Sequence, residues 1–251
     1  VSEGIHITTL AERPELAADV EALKGSWPEF MMHEPMAERF YLDAPTKFAD
    51  FVLVAVSADR PNEVLARAYS VPIGLADDPP AGLPDTGWDG AIRQAYLTKL
   101  AGYRGDAVCG LEVTIRPELR SVGLGSQMLR ALYERAKAKG FRHFVAPVRP
   151  PDKAKFPAMS MREYAGQLAA DGLPADNLLR ANVKIGAQII GIAPASMTVV
   201  GSLDQWRKWT GEPFDKDGPT IIEGALVPVH CDLRHEVASY VEPNVWMHRR
   251  L

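Results

Sequence analysis

A change of hydrophobic period falls across one short turn in the middle of the chain. Ala107 to Arg116 reads as a strand, Pro117 to Val122 as a turn, and Gly123 to Lys139 as a helix stopped by Gly140. Leu124, Met128, Leu129, Leu132 and Ala136 form the apolar stripe of that helix, with Arg130, Glu134, Arg135, Lys137 and Lys139 on the remaining surface. The order aims a row of backbone N–H groups and a helix N-terminus at one spot. Those groups have no intrahelical acceptor, and the macrodipole adds about half a positive charge there, so the spot suits a phosphate. Gly123 and Gly125 let the backbone approach closely, and Ser126 adds a hydroxyl. A P-loop is excluded, because no Gly-Lys-Ser/Thr occurs, and a dinucleotide fingerprint fails because its third glycine position holds Met128.

The surrounding pattern mixes strands with a few helices, an α/β chain in the α+β manner. Gly4 to Thr9 alternates as a short strand; Pro14 opens a helical stretch with Leu16, Val20 and Leu23 on one face, ended by Pro28 and Pro35. A helical segment around Met36 to Tyr41 leads through Pro45 to the strand Phe51 to Val56, which turns at Asp59-Arg60-Pro61-Asn62 into Val64 to Val71 as an antiparallel hairpin. Asp77 to Gly90 is so rich in Pro, Gly and Asp that it reads as loop, and Trp88 within it suggests a loop packed as a cover over an active site. Phe141 to Val148 is a further strand, followed by the basic, Pro-rich Arg149 to Pro157 and a helical segment ending near Asp171-Gly172. Asp176 caps a short helix to Ile185, and strand-like runs follow at Gln188 to Ile192, Ser196 to Val200 and Ala225 to Asp232.

The run Leu111-Glu-Val-Thr-Ile-Arg-Pro-Glu-Leu-Arg-Ser-Val-Gly-Leu-Gly-Ser-Gln-Met-Leu129 resembles the coenzyme A motif of the GNAT superfamily, R/Q-x-x-G-x-G/A, and the resemblance covers about residues 5 to 200. It implies a central mixed, mostly antiparallel twisted sheet flanked by helices, with splayed strands forming the CoA crevice. A single acyltransferase domain over residues 1–251 is expected, its strands at 220–248 completing the sheet and the acceptor side. The cosubstrate implied is acetyl-CoA or another acyl-CoA. Val113 and Ile115 would bond the pantetheine arm through their backbone, and Arg120, Ser121, Val122, Gly123, Leu124, Gly125 and Ser126 would hold the pyrophosphate. Members often carry a Tyr general acid on the last helix, whereas this chain has Asn182-Val-Lys-Ile-Gly186, which puts such a proton donor in doubt. The chain also resembles the GNAT-like loading domains of polyketide synthases, which decarboxylate malonyl-type CoA and pass the acyl group to a carrier thiol using a Thr and a His on late strands. Thr198 and His230 have suitable types and separation for that pair, with Trp88 over the thioester as a substrate-binding residue.

Each candidate catalytic residue has a plainer alternative. Glu112 alternates with Leu111 and Val113 and reads as a general base facing the crevice or as a solvated strand carboxylate. His230 lies among apolar neighbours in Leu226 to Asp232 and reads as a proton carrier or as a satisfied core residue. Thr198 holds an enolate oxygen or only fills a β-rich position. His230, Cys231 and His235 match no zinc spacing, so no metal is expected. Trp206 and Trp209 read as packing, and Arg149, Lys153 and Lys155 as solvated charge in preference to a pocket edge for an acidic acceptor or a nucleotide phosphate.

The bulk properties narrow the partners. With 251 residues, 47% hydrophobic, a formal charge of -4 and no basic block, the chain offers nothing to nucleic acid or anionic lipid. Its opening residues lack a signal pattern, its longest apolar run (Phe51 to Val56) is far short of the roughly 20 residues a span needs, and its two cysteines form no framework. A cytoplasmic enzyme is expected. Three functions remain: acyl transfer to an amine or hydroxyl of a small metabolite by direct attack on the thioester, malonyl-type decarboxylation with transfer to a carrier-protein thiol, or non-catalytic acyl-CoA sensing. Association as a homodimer stays open.

Overall fold

The computed structural model describes residues 4–25, 27–75, 77–79, 81–120 and 123–251. Its frame is a nine-stranded sheet built from β1 (Ile5–Thr9), β2 (Val52–Ser57), β3 (Val64–Ile73), β4 (Ala107–Ile115), β5 (His143–Val148), β6 (Gln188–Ser202), β7 (Gly218–Thr220), β8 (Val229–Asp232) and β9 (Val237–Arg250). The strands follow the order β1-β2-β3-β4-β5-β9-β8-β7, with β6 also on β9. Among the described residues only β4 and β5 pair in parallel, so the sheet is mixed and mostly antiparallel as expected. The β2–β3 hairpin falls where the alternation put it, with Val52 opposite Tyr69.

Among the described residues seven α-helices flank the sheet: α1 (Ala17–Ala22), α2 (Pro35–Lys47), α3 (Gly87–Leu100), α4 (Leu124–Ala138), α5 (Met161–Ala165), α6 (Asn177–Lys184) and α7 (Leu203–Thr210). The stripe of α4 is buried as anticipated, its Met128, Leu132 and Ala136 packing with Leu53, Ala68, Val108 and Phe144. Asp176 caps α6 by accepting the N–H groups of Leu178 and Leu179, both at 2.9 Å. No helix among the described residues is long and apolar enough to cross a membrane.

Four expectations need correction. The loop expected from Asp77 to Gly90 ends in α3, whose Trp88, Ala91, Ile92 and Ala95 join the main core. Tertiary packing overrides the turn-like composition there: Gly87 has φ +39 and lies so close to Ser196 that any side chain would collide. The segment around Met36 continues through Pro45 to Lys47, and Pro14 opens only a short 3₁₀ turn before α1. The two runs from Gln188 are one bent strand, irregular against β9 between Ile189 and Gly191 and between Ala193 and Met197. Trp206 and Trp209 stand on α7, which opens with a Ser202/Gln205 capping box; Trp206 packs in the core, as the packing reading held, and its Nε1 donates to Ala238 O at 2.8 Å.

Candidate active site

Two neighbouring strands part company at one glycine. β4 and β5 pair only through Ala107–His143, Val108–Phe144 and Cys109–Val145; beyond that β4 continues with β3 alone, and β5 with β9 as far as Val148 opposite Val245. The Phe144 ring lies against Gly110 so tightly that a Cβ there would stand 2.7 Å from it, which wedges the strands apart. A bulge marks the same point, since Tyr69 and Ser70 of β3 face Glu112 and Gly110 and Leu111 is left over. Its carbonyl is not orphaned, because Trp88 Nε1 donates to Leu111 O at 3.1 Å.

The wedge is a cavity of about 410 Å³. One wall is the edge of β4. Arg116 N–H donates to Leu65 O of β3 at 3.0 Å, and bonding direction alternates along a strand, so the backbone groups of Val113 and Ile115 turn toward the cavity. Beyond them come Arg120 and the start of α4, where Gly123 (φ +81) serves as N-cap with no side-chain cap among the described residues, at a helix end whose first N–H groups lack intrahelical acceptors. α6 contributes Leu178 and Asn182 to the floor, and the far end is closed by Trp27, Trp88, Met197, Asn244 and Arg149. Trp27 and Trp88 meet edge to face at 5.6 Å.

Glu112 lines the cavity and is held from behind. Arg67 Nε donates to its Oε1 at 3.0 Å, and the hydroxyls of Tyr41 and Thr114 donate to it as well. Arg67 is itself fixed by Val20 O at 2.6 Å. Burial, and then the adjacent Glu112 carboxylate, push the Tyr41 phenol well up, so it stays protonated. At the far end Glu242 is fully buried, accepting from Arg149, from Tyr240 Oη at 2.7 Å and from Asn244 Nδ2 at 3.1 Å. Ser196 Oγ donates to Asn244 Oδ1 at 2.6 Å and accepts from Trp88 N–H at 2.8 Å, which ties this network to α3. Next to Trp88, Asp89 accepts the Thr198 N–H at 3.2 Å through Oδ2, while its buried Oδ1 has no partner among the described residues. Burial, followed by the Glu34 carboxylate, pushes Asp89 up to about 8.

An arginine N-acetyltransferase of Aspergillus versicolor is 31% identical to this chain over a 274-residue alignment that covers 97% of the chain and 93% of that protein. The chain belongs to the GNAT family. It is an acyl-CoA-dependent acyltransferase, so the sensor alternative is set aside. Two solved GNAT folds superpose over 98% of it: the loading GNATL domain of CurA from Lyngbya majuscula, with a TM-score of 0.60 and 19% identity, and the GphF GNAT-like decarboxylase in complex with isobutyryl-CoA, with 0.54 and 16%. At those identities they share the GNAT fold and nothing finer. No family model matches the chain.

The GNAT cavity gathers most of the residues anticipated for the coenzyme. Val113, Ile115, Arg120, Gly123, Gly125 and Ser126 line it, and Leu124 is buried beneath the turn. Ser121 and Val122 lie outside the described residues. Trp88 lines the cavity too, from the first turn of α3 and not from a loop. His230 and Thr198 are not brought to it. His230 is exposed on β8, opposite Ser239 and Pro219, because strand alternation turns its buried neighbours Val229 and Cys231 inward instead. Thr198 meets Asp89 by its backbone, behind the cavity-lining Met197. Trp27 and Asn244 escaped sequence reasoning, since neither stands in a recognisable spacing; Arg149 and Lys153, read there as solvated charge, need correction, because Glu242 draws Arg149 into the cavity wall and the carbonyls of Leu226 and Phe156 hold Lys153 with no exposed surface.

Proposed function

We propose that this enzyme transfers the acetyl group of acetyl-CoA to the α-amino nitrogen of arginine, or of a closely related guanidino amino acid, by direct attack on the thioester. The observation that carries the reading is the wedge between β4 and β5. It sets an unpaired strand edge, a helix N-terminus and the carboxylate of Glu112 around one cavity, as the attack of an amine on a bound thioester needs. The relative named for arginine supports the acceptor. An α-amine sheds its proton far more readily than a guanidinium, which stays charged throughout the physiological range, and this favours the α nitrogen.

In this reading Val113 and Ile115 bond the pantetheine arm, and Arg120 with the turn Gly123, Leu124, Gly125 and Ser126 receives the pyrophosphate. The amine adds to the thioester carbon, a β4 N–H holds the oxyanion, the C–S bond breaks, and CoA leaves as thiolate. Glu112 accepts the amine's proton. His230 and Thr198 take no part, being outside the cavity, which removes the support for malonyl decarboxylation. A reducing cytoplasmic setting fits Cys109 and Cys231, both free and buried.

The test is incubation with acetyl-CoA and a panel of amines and amino acids, with tandem mass spectrometry to place the acetyl group. N-α-acetylarginine is the expected product. Turnover of other amines with arginine inert, or acetylation on the guanidine, would overturn it.

A further inference from the structure

The acceptor end of the cavity carries a cation that the transfer chemistry does not use. Arg149 stands one residue past the last β5–β9 pair, lines the cavity and is only 15% exposed. Its inner edge is fully engaged: Nε donates to both oxygens of Glu242, at 2.9 and 3.1 Å, and Nη2 donates to Gly224 O at 2.6 Å. Nη1 has no partner among the described residues, and a guanidinium presents its donors in a rigid planar fork. The side chain is therefore locked by its back edge.

Local charge favours an anion at the outer edge. Lys153, with no exposed surface, lies against the same loop and donates to Leu226 O at 2.7 Å and Phe156 O at 2.8 Å. Two cations thus flank one loop: Arg149 is paired with Glu242, while Lys153 meets backbone carbonyls and no carboxylate among the described residues.

We infer that the outer edge of Arg149 is a carboxylate receptor that selects acceptors carrying a free α-carboxylate. The inference rests on the reading of the enzyme as an amino-acid N-acetyltransferase and narrows it: the fork grips the carboxylate while the neighbouring amine faces the thioester. A decarboxylated or amidated acceptor loses that grip and leaves Arg149 short of a partner. The same edge fits the free carboxylate of a malonyl-type thioester, so the source must be distinguished by experiment.

The measurement is kcat/KM with acetyl-CoA for amino acids paired with their amides, arginine with argininamide first. The amide has the same shape and a more readily deprotonated amine, so a lower rate reports the missing carboxylate and not the nucleophile. An acid-over-amide preference of about 10- to 100-fold is expected, the range for one charge-assisted contact. Arg149→Lys, which keeps the charge and loses the fork, should bring that ratio near one. Because removal of Arg149 alone strands buried Glu242, the paired change Arg149→Met with Glu242→Gln serves as the second variant and should give the same collapse. An acid-over-amide ratio near one in the native enzyme, or one that survives both variants, overturns the inference. So does a preference that appears for malonyl-CoA over acetyl-CoA in its place. If arginine is inert but another amino acid shows the preference, the arginine reading falls and the receptor stands; if no amino acid is a substrate, both fall.

Discussion

Arg67 and Glu112 form a buried pair, and each depends on the other. Arg67→Met should cost about 3–5 kcal/mol, because it leaves a buried carboxylate without its main counter-charge; urea unfolding measures it, and a cost below about 1 kcal/mol would mean that water already reaches the pair. Asp89 makes a second prediction at this scale. Its carboxyl has an ordinary pKa of 3.8 and is pushed up to about 8 in the fold, so the folded state binds that proton more tightly than the unfolded chain. The sign follows: the contribution is fully present below about pH 4 and is lost as the pH rises through about 8. Asp89→Asn should flatten that decline, seen as an unfolding midpoint that changes less between pH 5 and 9 than in the native protein. Neither role is visible in sequence, where both residues are isolated acids on strands or turns; burial and partners come from segments 45 and 109 positions away.

At the scale of elements, the decisive feature is the bulge of β4 with the indole laid on its spare carbonyl. Trp88→Phe removes the N–H that Leu111 O accepts, at a cost of about 1–3 kcal/mol, and adds the cost of the cavity left by the missing part of a fully buried ring. KM for acetyl-CoA should rise with it as the strand edge loosens; an unchanged KM would show that the edge is held by β3 alone. Gly123→Val places a branched side chain at φ +81, costing about 1–2 kcal/mol and weakening CoA binding in calorimetry. The strand–turn–helix and the β2–β3 hairpin were legible because their signals are local: period, glycine, and a cap. α3 was not, because Pro84, Gly87, Asp89 and Gly90 spell a turn and only the contact with Ser196 and the core makes them a helix start. The Arg149 end of the cavity was illegible for a related reason, since Arg149 reads as surface charge until Glu242 is placed beneath it.

Across the whole molecule, β9 joins what would otherwise be separate pieces. It pairs with β5, β6 and β8, and it brings Asn244 to the cavity and Glu242 to the back of the cavity-lining Arg149. A chain ending at Glu236 should fail to fold, because β5 and β6 would be left as open edges beside apolar faces. Size-exclusion chromatography should show aggregates or no soluble product, and a soluble monomer with native far-ultraviolet dichroism would contradict this.

The sheet order also has a consequence in time. β9 follows in sequence every strand it joins, whereas the hairpin, the glycine turn and α4 are all complete within residues 52–138. A chain emerging from the ribosome would complete the strand, turn and helix at one wall of the cavity long before β9 could set Asn244 in the cavity or Glu242 behind Arg149. The end of the pocket where Arg149 stands is thus the last part of it to be made.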